Sequence, residues 1–323
     1  MNRSLISWLF KLAVSATLLA LVFNALPLSD LIGALGRADP FLVLVAYITM
    51  PPVLYMGAVQ FWVLTKAQGM SQSVRQILTV NLATQFYGLF LPGSLAGGAI
   101  RWYKLARPEG KRAESLAVIL FNRMVEVAVA VGLGLAFWLA DPLARDEDWV
   151  LALFGVLALA LVVGYVMLFG TNNISLRIAV RFKPRGILAT PWDKLIKALQ
   201  SCGRFGGLGA GRVTAVVGLT LASHLLSVLS MVLLARALSL DVSAATLGWI
   251  RSVSTLLMML PISWLGLGVR EGSFLLLLAP FGVPAGSAVA LSLLMFVRGI
   301  LGGVSGGLLE AWAFFSVQRR NTA

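Results

Sequence analysis

The chain alternates long apolar runs with short polar segments. Runs at 5–26, 41–63, 114–139, 149–169 and 213–237, and a last one reaching 312, approach the roughly 20 residues that carry a helix across a bilayer. Two further apolar stretches, 77–100 and 245–281, are interrupted by proline and glycine. The pattern predicts an all-α polytopic membrane protein, one integral domain over residues 1–323. The run from Leu5 to Leu26 is long, and Leu26-Pro27-Leu28 offers no small-residue cleavage site, so it is expected to persist as the first span.

Charge then orients the spans. Residues 170–212 contain Arg177, Arg181, Lys183, Arg185, Lys194, Lys197, Arg204 and Arg212 against the lone acid Asp193, which marks a basic cytoplasmic loop. Asp141, Asp146, Glu147 and Asp148 against Arg145 place the intervening loop outside. Arg3 and Lys11 at one end, and Arg319 and Arg320 at the other, put both termini in the cytoplasm. Lys66 and Arg75 precede the stretch 77–100, and Lys104, Arg107, Lys111 and Arg112 follow it. That stretch therefore enters and leaves on one side, as a re-entrant hairpin with Pro92-Gly93 at its tip. Irregular backbone at membrane depth survives only where protein buries it or water wets it, so the tip predicts a cavity.

The break occurs twice. LPGSLAGGAIR, residues 91–101, aligns without a gap to LPISWLGLGVR, residues 260–270, so that Leu91, Pro92, Ser94, Gly97 and Arg101 recur as Leu260, Pro261, Ser263, Gly266 and Arg270. A glycine-rich span with an arginine near its start follows each motif, Arg123 in LFNRMVE and Arg298 in MFVRG. The charge pattern brings the second hairpin, 245–281, in from outside. Residues 77–140 and 245–312 are thus expected to be inverted repeats, an arrangement that places a substrate site where the repeats meet.

The chemistry of each tip favours an anion. Pro92 and Gly93 end one half-helix and Ser94 can cap the next, leaving N–H groups and a partial positive charge aimed at the cavity. Arg101 lies two turns beyond Ser94 on the same face, and Arg270 stands in the same relation to Ser263. Gly97, Gly98, Gly266 and Gly268 permit close approach by a phosphate or by a neighbouring helix. Taken singly, such a glycine is a packing surface and such an arginine snorkels to the interface; the repetition favours binding. Arg123 and Glu126, spaced i,i+3, are either a structural ion pair or a gate, and Arg298 belongs with them. Glu271 either neutralises Arg270 or reaches the cavity. Arg251 is cavity-facing or interfacial, and His224 beside Ser223 and Ser227 reads as a neutral hydrogen-bonded group. Trp8, Trp102, Trp249 and Trp312 flank apolar runs as interfacial anchors, and Glu310 is expected at the interface. Gly299 to Gly307 packs helices within one chain or between two.

Composition removes other classes. The chain is 59% hydrophobic and 12% charged, with a net charge of +13 and a mean hydropathy of +0.90. Its basic residues fall between spans, so membrane orientation rather than nucleic acid accounts for them. One cysteine, Cys202, and one histidine leave no internal disulfide and no conventional zinc site; neither metal nor other cofactor is expected. No GxxxxGK[ST] loop supplies nucleotide energy. Glu126, Glu271 and His224 are the only serious acids or bases of the embedded region, so no enzyme is expected.

LPGSLAGGAIRWYKL, LFNRMVE, LPISWLGLGVREG with the following GVP, and the late span with Arg298 together resemble the lysylphosphatidylglycerol synthase transmembrane-region family, also called flippase-like membrane proteins. The resemblance spans nearly the whole chain. It implies residence in the bacterial inner membrane and places Pro92, Gly97, Gly98, Arg101, Arg123, Pro261, Gly266, Gly268, Arg270, Glu271 and Gly272 at motif positions. The chain departs from the family pattern at Ala99 and Asn122, where an acid is common, and at Trp264 and Leu265, where a glycine pair is common. Fewer acids suit an anionic lipid better than an aminoacylated one. No long polar region holds an aminoacyl-transferring domain, so lipid synthesis is not expected. The expected activity is transport of an anionic phospholipid or a polyprenyl-phosphate-type lipid, such as a lipid-linked sugar. The alternatives are an integral membrane enzyme or a non-transporting partner in lipid-linked glycan metabolism, working as a homo-oligomer or beside a lipid-biosynthesis protein.

Overall fold

The computed structural model describes residues 28–90, 94–144, 148–169, 174–182, 189–259 and 267–321, with positions 17, 20 and 184. Most of the first expected span, the tip residues Leu91, Pro92 and Gly93, and Leu260 to Gly266, including Pro261 and Ser263, lie outside the described residues.

Regular structure among the described residues is entirely helical: α1 (Leu28–Gly36), α2 (Pro40–Ile48), α3 (Met50–Ala67), α4 (Val74–Phe90), α5 (Ser94–Ala106), α6 (Arg112–Leu139), α7 (Asp148–Leu168), α8 (Ile174–Arg181), α9 (Ala189–Gly203), α10 (Ala210–Ala237), α11 (Ala244–Met259), α12 (Val269–Leu278) and α13 (Ala285–Asn321). Five segments are long and apolar enough to cross a membrane: Pro40–Ala67, Arg112–Leu139, Trp149–Leu168, Ala210–Ala237 and Ala285–Trp312. Each coincides with an apolar run of the sequence, because lipid can satisfy no backbone group and the helix must do so itself.

The first of these is two helices, not one. Asp39 caps α2 by accepting from the N–H groups of Phe41 at 2.8 Å and Leu42 at 3.3 Å. The chain restarts at α3, where Pro51 and Pro52 fall in the first turn, the one place in a helix where their missing N–H groups break no bond. The basic segment is likewise structured. Helices α8 and α9 turn apolar faces inward, burying Ala179, Ala198, Leu199 and Cys202, and Trp192 of α9 donates to the carbonyl of Ala179 at 2.7 Å.

Helices α4 and α5 form a hairpin whose two outer ends meet. Gln72 donates to the carbonyl of Leu105 at 2.7 Å, Ser71 N–H to Glu109 at 2.7 Å, and Lys111 to the carbonyl of Gly69 at 2.6 Å. Burial alone would raise the Glu109 carboxyl, but its hydrogen bonds from Lys111 and Ser71 hold it below the usual range. Trp102 ties the same end to the start of α6 through the carbonyl of Arg112, 2.8 Å away. Helices α11 and α12 form a second hairpin, whose ends meet where the Trp249 and Phe281 rings lie 6.1 Å apart. That end is fastened past the other terminus of α6, at Asp141. The buried Asp141 carboxylate accepts from Thr246 Oγ1 at 2.7 Å, Trp249 Nε1 at 3.0 Å and Leu143 N–H at 3.2 Å. Trp249, expected as an interfacial anchor, is instead 1% exposed; its indole N–H needs a buried acceptor and Asp141 supplies it. Trp312 remains exposed. Asp141→Ala strands the buried Trp249 indole N–H, at a cost of about 1–3 kcal/mol, and leaves Thr246 only its bond with Ser243. A lowered unfolding midpoint in detergent is the expected result, with Asp141→Asn milder.

Packing across the bundle is reciprocal. Helix α4 of the first hairpin packs on α13, and α11 of the second packs on α6, while α3 packs against α10. Exchanging α3–α6 for α10–α13 turns the α4–α13 pairing into α11–α6 and returns α3–α10 to itself. The offset that aligns the two sequence motifs also carries α4 onto α11.

The α4–α13 contact is made by glycines. A Cβ on Gly302 would meet the Gln85 carboxamide, on Gly303 the Leu89 side chain, on Gly306 the Leu82 carbonyl and on Gly307 the Phe86 ring. These four therefore pack within the chain, whereas Gly299 faces open space.

Candidate functional site

A cavity of about 580 Å³ opens between the first hairpin and α6. Gly97, Gly98 and Arg101 of α5 line it with Asn122, Arg123 and Glu126 of α6, Thr84 of α4 and Met259 of α11. Helix α5 begins at Ser94, where the motif predicts that the helix resumes, and carries its small residues and arginine along this wall. A Cβ on Gly98 would meet nothing within 4 Å, while one on Gly97 would touch Thr84 at an ordinary 3.6 Å. Close approach is thus available at Gly98 to a ligand rather than to a helix.

Arg101 is held loosely. Its guanidinium carbon lies 4.7 Å from the Phe61 ring centre, a cation–π contact, and its Nε is buried without a hydrogen-bond partner. Glu126 attracts it through space and Arg123 repels it. Glu126 is shared, accepting from Asn122 Nδ2 at 2.8 Å and from Arg123 Nη1 at 3.5 Å. The Arg123 and Glu126 side chains are 45% and 30% exposed. A pair so long and so exposed to the cavity contributes about 0–1 kcal/mol, which is little to break.

A second cavity of about 440 Å³ adjoins the first and shares Arg123, Glu126 and Met259 with it. Gln60 of α3, Ser223, His224 and Ser227 of α10, and Arg251 and Thr255 of α11 complete its polar wall. Arg251 Nη1 donates to Thr255 Oγ1 at 2.8 Å, but Arg251 Nε, Gln60 Nε2 and Ser223 Oγ are buried without partners. The sequence points to His224 and Arg251 singly and leaves them apart; Gln60, a polar residue within an apolar span, is the sequence signal for this wall.

The second motif is built differently. Arg270 and Glu271 form a buried ion pair, their side chains 7% and 1% exposed. Arg270 Nε also donates to Ser292 Oγ at 3.0 Å, and its guanidinium lies 4.4 Å from the Phe296 ring centre. Glu271 accepts from the Gly268 N–H at 2.7 Å. Gly268 has a φ of +80°, a conformation that glycine alone adopts cheaply, so the turn and the acid that reaches back to it are one unit. Arg270, Glu271 and Gly268 line neither cavity; Glu271 neutralises Arg270. Arg298 reaches Thr49 at 3.3 Å rather than an acid. Glu310 accepts from Lys104 at 2.6 Å and Tyr87 at 3.1 Å, fastening the first hairpin to α13.

The structure therefore brings Gly97, Gly98, Arg101, Arg123 and Glu126 together and keeps Arg270 apart. A cavity walled by arginines with one committed carboxylate can hold an anion. The family model for the lysylphosphatidylglycerol synthase TM region matches residues 8–304 of the chain. No curated protein and no solved structure matches it.

Proposed function

We propose that this chain, which belongs to the lysylphosphatidylglycerol synthase TM-region family, moves an anionic, phosphate-bearing lipid across the bacterial inner membrane as a flippase or scramblase-like transporter. The observation that carries this reading is Arg101, a cation in the cavity wall with a buried, unpartnered Nε. An arginine inside a membrane is costly unless something pairs with it, and a phosphate diester offers the bidentate oxygens that its fork fits.

The surroundings suit a lipid rather than a soluble anion. Leu116 and Leu120 line the first cavity and are more than a third exposed, so acyl tails can stay in the bilayer while the head group enters. The Arg123–Glu126 pair stands in the walls of both cavities and opens cheaply, which makes it a gate. The two hairpins are fastened at opposite ends of α6, whose 28 residues make it about 42 Å long. That supports re-entrant hairpins entering from opposite faces as inverted repeats, each able to rock against the other for alternating access.

The test is head-group movement in proteoliposomes, using reporter-labelled phosphatidylglycerol, a polyprenyl phosphate and phosphatidylcholine. Movement of an anionic lipid, with phosphatidylcholine slower, is expected. Retained binding without movement would replace transport by a partner role, and a chemically altered head group would replace it by an enzyme.

A further inference from the structure

The second cavity asks for a different part of the ligand than the first. Its wall offers neutral polar groups: Ser223, His224 and the Gln60 carboxamide, with the Ser227 and Thr255 hydroxyls, which donate to helix carbonyls and remain acceptors. Gln60 is 4% exposed, and its Nε2 has no partner; nor has the buried Ser223 Oγ. Native proteins rarely strand such groups, and ligand hydroxyls satisfy them, accepting from Gln60 and donating to or accepting from Ser223. The charged and titratable groups on this wall are Arg123, Arg251, His224 and Glu126. Glu126 is already engaged by Asn122 and Arg123, and Arg251 also lies in the field of Arg298 and Arg270. An ammonium entering here meets two arginines, Arg123 and Arg251, against the single carboxylate of Glu126, so repulsion prevails.

We infer that the second cavity binds the hydroxyl-bearing portion of the head group, so that the transported lipid is a phosphodiester with a polyol head group, and that the same cavity rejects head groups carrying an amine. This rests on the first cavity holding the phosphate. A phosphate alone pairs with Arg101 in the first cavity and leaves Gln60 and Ser223 stranded. A polyol attached to it passes the Arg123–Glu126 pair and reaches them. Glycerol and sugar-type head groups share this chemistry.

Two glycines allow a direct test. A Cβ on Gly57, in the second cavity, or on Gly98, in the first, would meet nothing within 4 Å, so Gly57→Cys and Gly98→Cys place reporter thiols without crowding the protein, each on a wall that a bound head group would cover. The native Cys202 is 1% exposed and burial pushes its thiol up to about 11, which keeps it silent. Each variant is placed in phosphatidylcholine nanodiscs holding phosphatidic acid, phosphatidylglycerol, phosphatidylinositol or lysyl-phosphatidylglycerol, and thiol labelling is timed. At a lipid level about ten times half-saturation, occupancy slows labelling about tenfold. Phosphatidic acid is expected to protect Gly98→Cys alone, and phosphatidylglycerol, phosphatidylinositol or both to protect Gly57→Cys as well; which of the two does so separates glycerol from sugar-type head groups. Lysyl-phosphatidylglycerol leaves Gly57→Cys unprotected. Adding Gln60→Leu with Ser223→Ala removes protection at Gly57→Cys and spares it at Gly98→Cys. Protection confined to Gly98→Cys with every lipid, or equal protection of Gly57→Cys by the lysylated lipid, overturns the inference and leaves anionic-lipid transport standing. Protection of neither thiol by any anionic lipid overturns both.

Discussion

Gly306→Val will not give a folded, monodisperse protein, whereas Gly299→Val, two turns earlier on the same helix, will. A Cβ on Gly306 meets the backbone carbonyl of Leu82, with the Phe86 Cβ at 3.2 Å, while at Gly299 it meets nothing within 4 Å. Backbone cannot rotate aside as a side chain does. Helix α13 would have to back away from α4, and Gly302, Gly303 and Gly307 would lose their contacts with it. In a bilayer no hydrophobic force draws helices together, so close packing of small residues supplies much of the attraction. The cost lies at or above the ~1–3 kcal/mol of ordinary overpacking, against a total stability of about 5–15 kcal/mol. Function would fail with the fold, because α13 also carries Ser292 and Phe296 to Arg270, and Glu310 to Lys104. Size-exclusion profiles and thermal unfolding in detergent read the result. A Gly306→Val protein that melts like the wild type would mean that close approach does not hold α13.

The spans were legible because lipid makes length and apolarity a physical requirement, and the ends of α4 and α11 because proline and glycine interrupt runs that should not be interrupted. What distinguishes the two motifs was only partly legible. Five of their eleven aligned residues are identical, Arg101 with Arg270 among them, yet the next residue differs: Trp102 after one, Glu271 after the other. The adjacent carboxylate captures Arg270 locally, and nothing comparable captures Arg101. The second cavity was illegible for another reason. Its walls come from α3, α6, α10 and α11, and apolar periodicity reveals which residues are buried but not which helices become neighbours. The helices of the basic segment were hidden too, since charge counting treats a segment as a sum and ignores the apolar face formed by Ala198, Leu199 and Cys202.

Arg101→Gln is expected to slow movement of an anionic lipid about 10- to 100-fold, the range that losing a charge-assisted hydrogen bond of about 1.5–3 kcal/mol produces, while the protein stays folded. The reason for the intact fold is geometric. Within the protein Arg101 has the face of Phe61 and an unpartnered Nε, so its removal strands no acid, and Glu126 keeps Asn122 and Arg123. Arg101→Lys should recover part of the rate, since it keeps the charge but loses the two-pronged geometry that fits a phosphate. Arg270→Gln, at the aligned position, should act through stability instead. It leaves Glu271 as a buried charge without its cation, a loss of about 3–5 kcal/mol, and lowers the unfolding midpoint whatever lipid is present. Measuring rate and unfolding midpoint for all three variants separates the roles. An Arg101→Gln protein that moves lipid at the wild-type rate would remove the phosphate site from the first cavity. Arg270→Gln with an unchanged midpoint and a lost rate would return the second motif to the transport path.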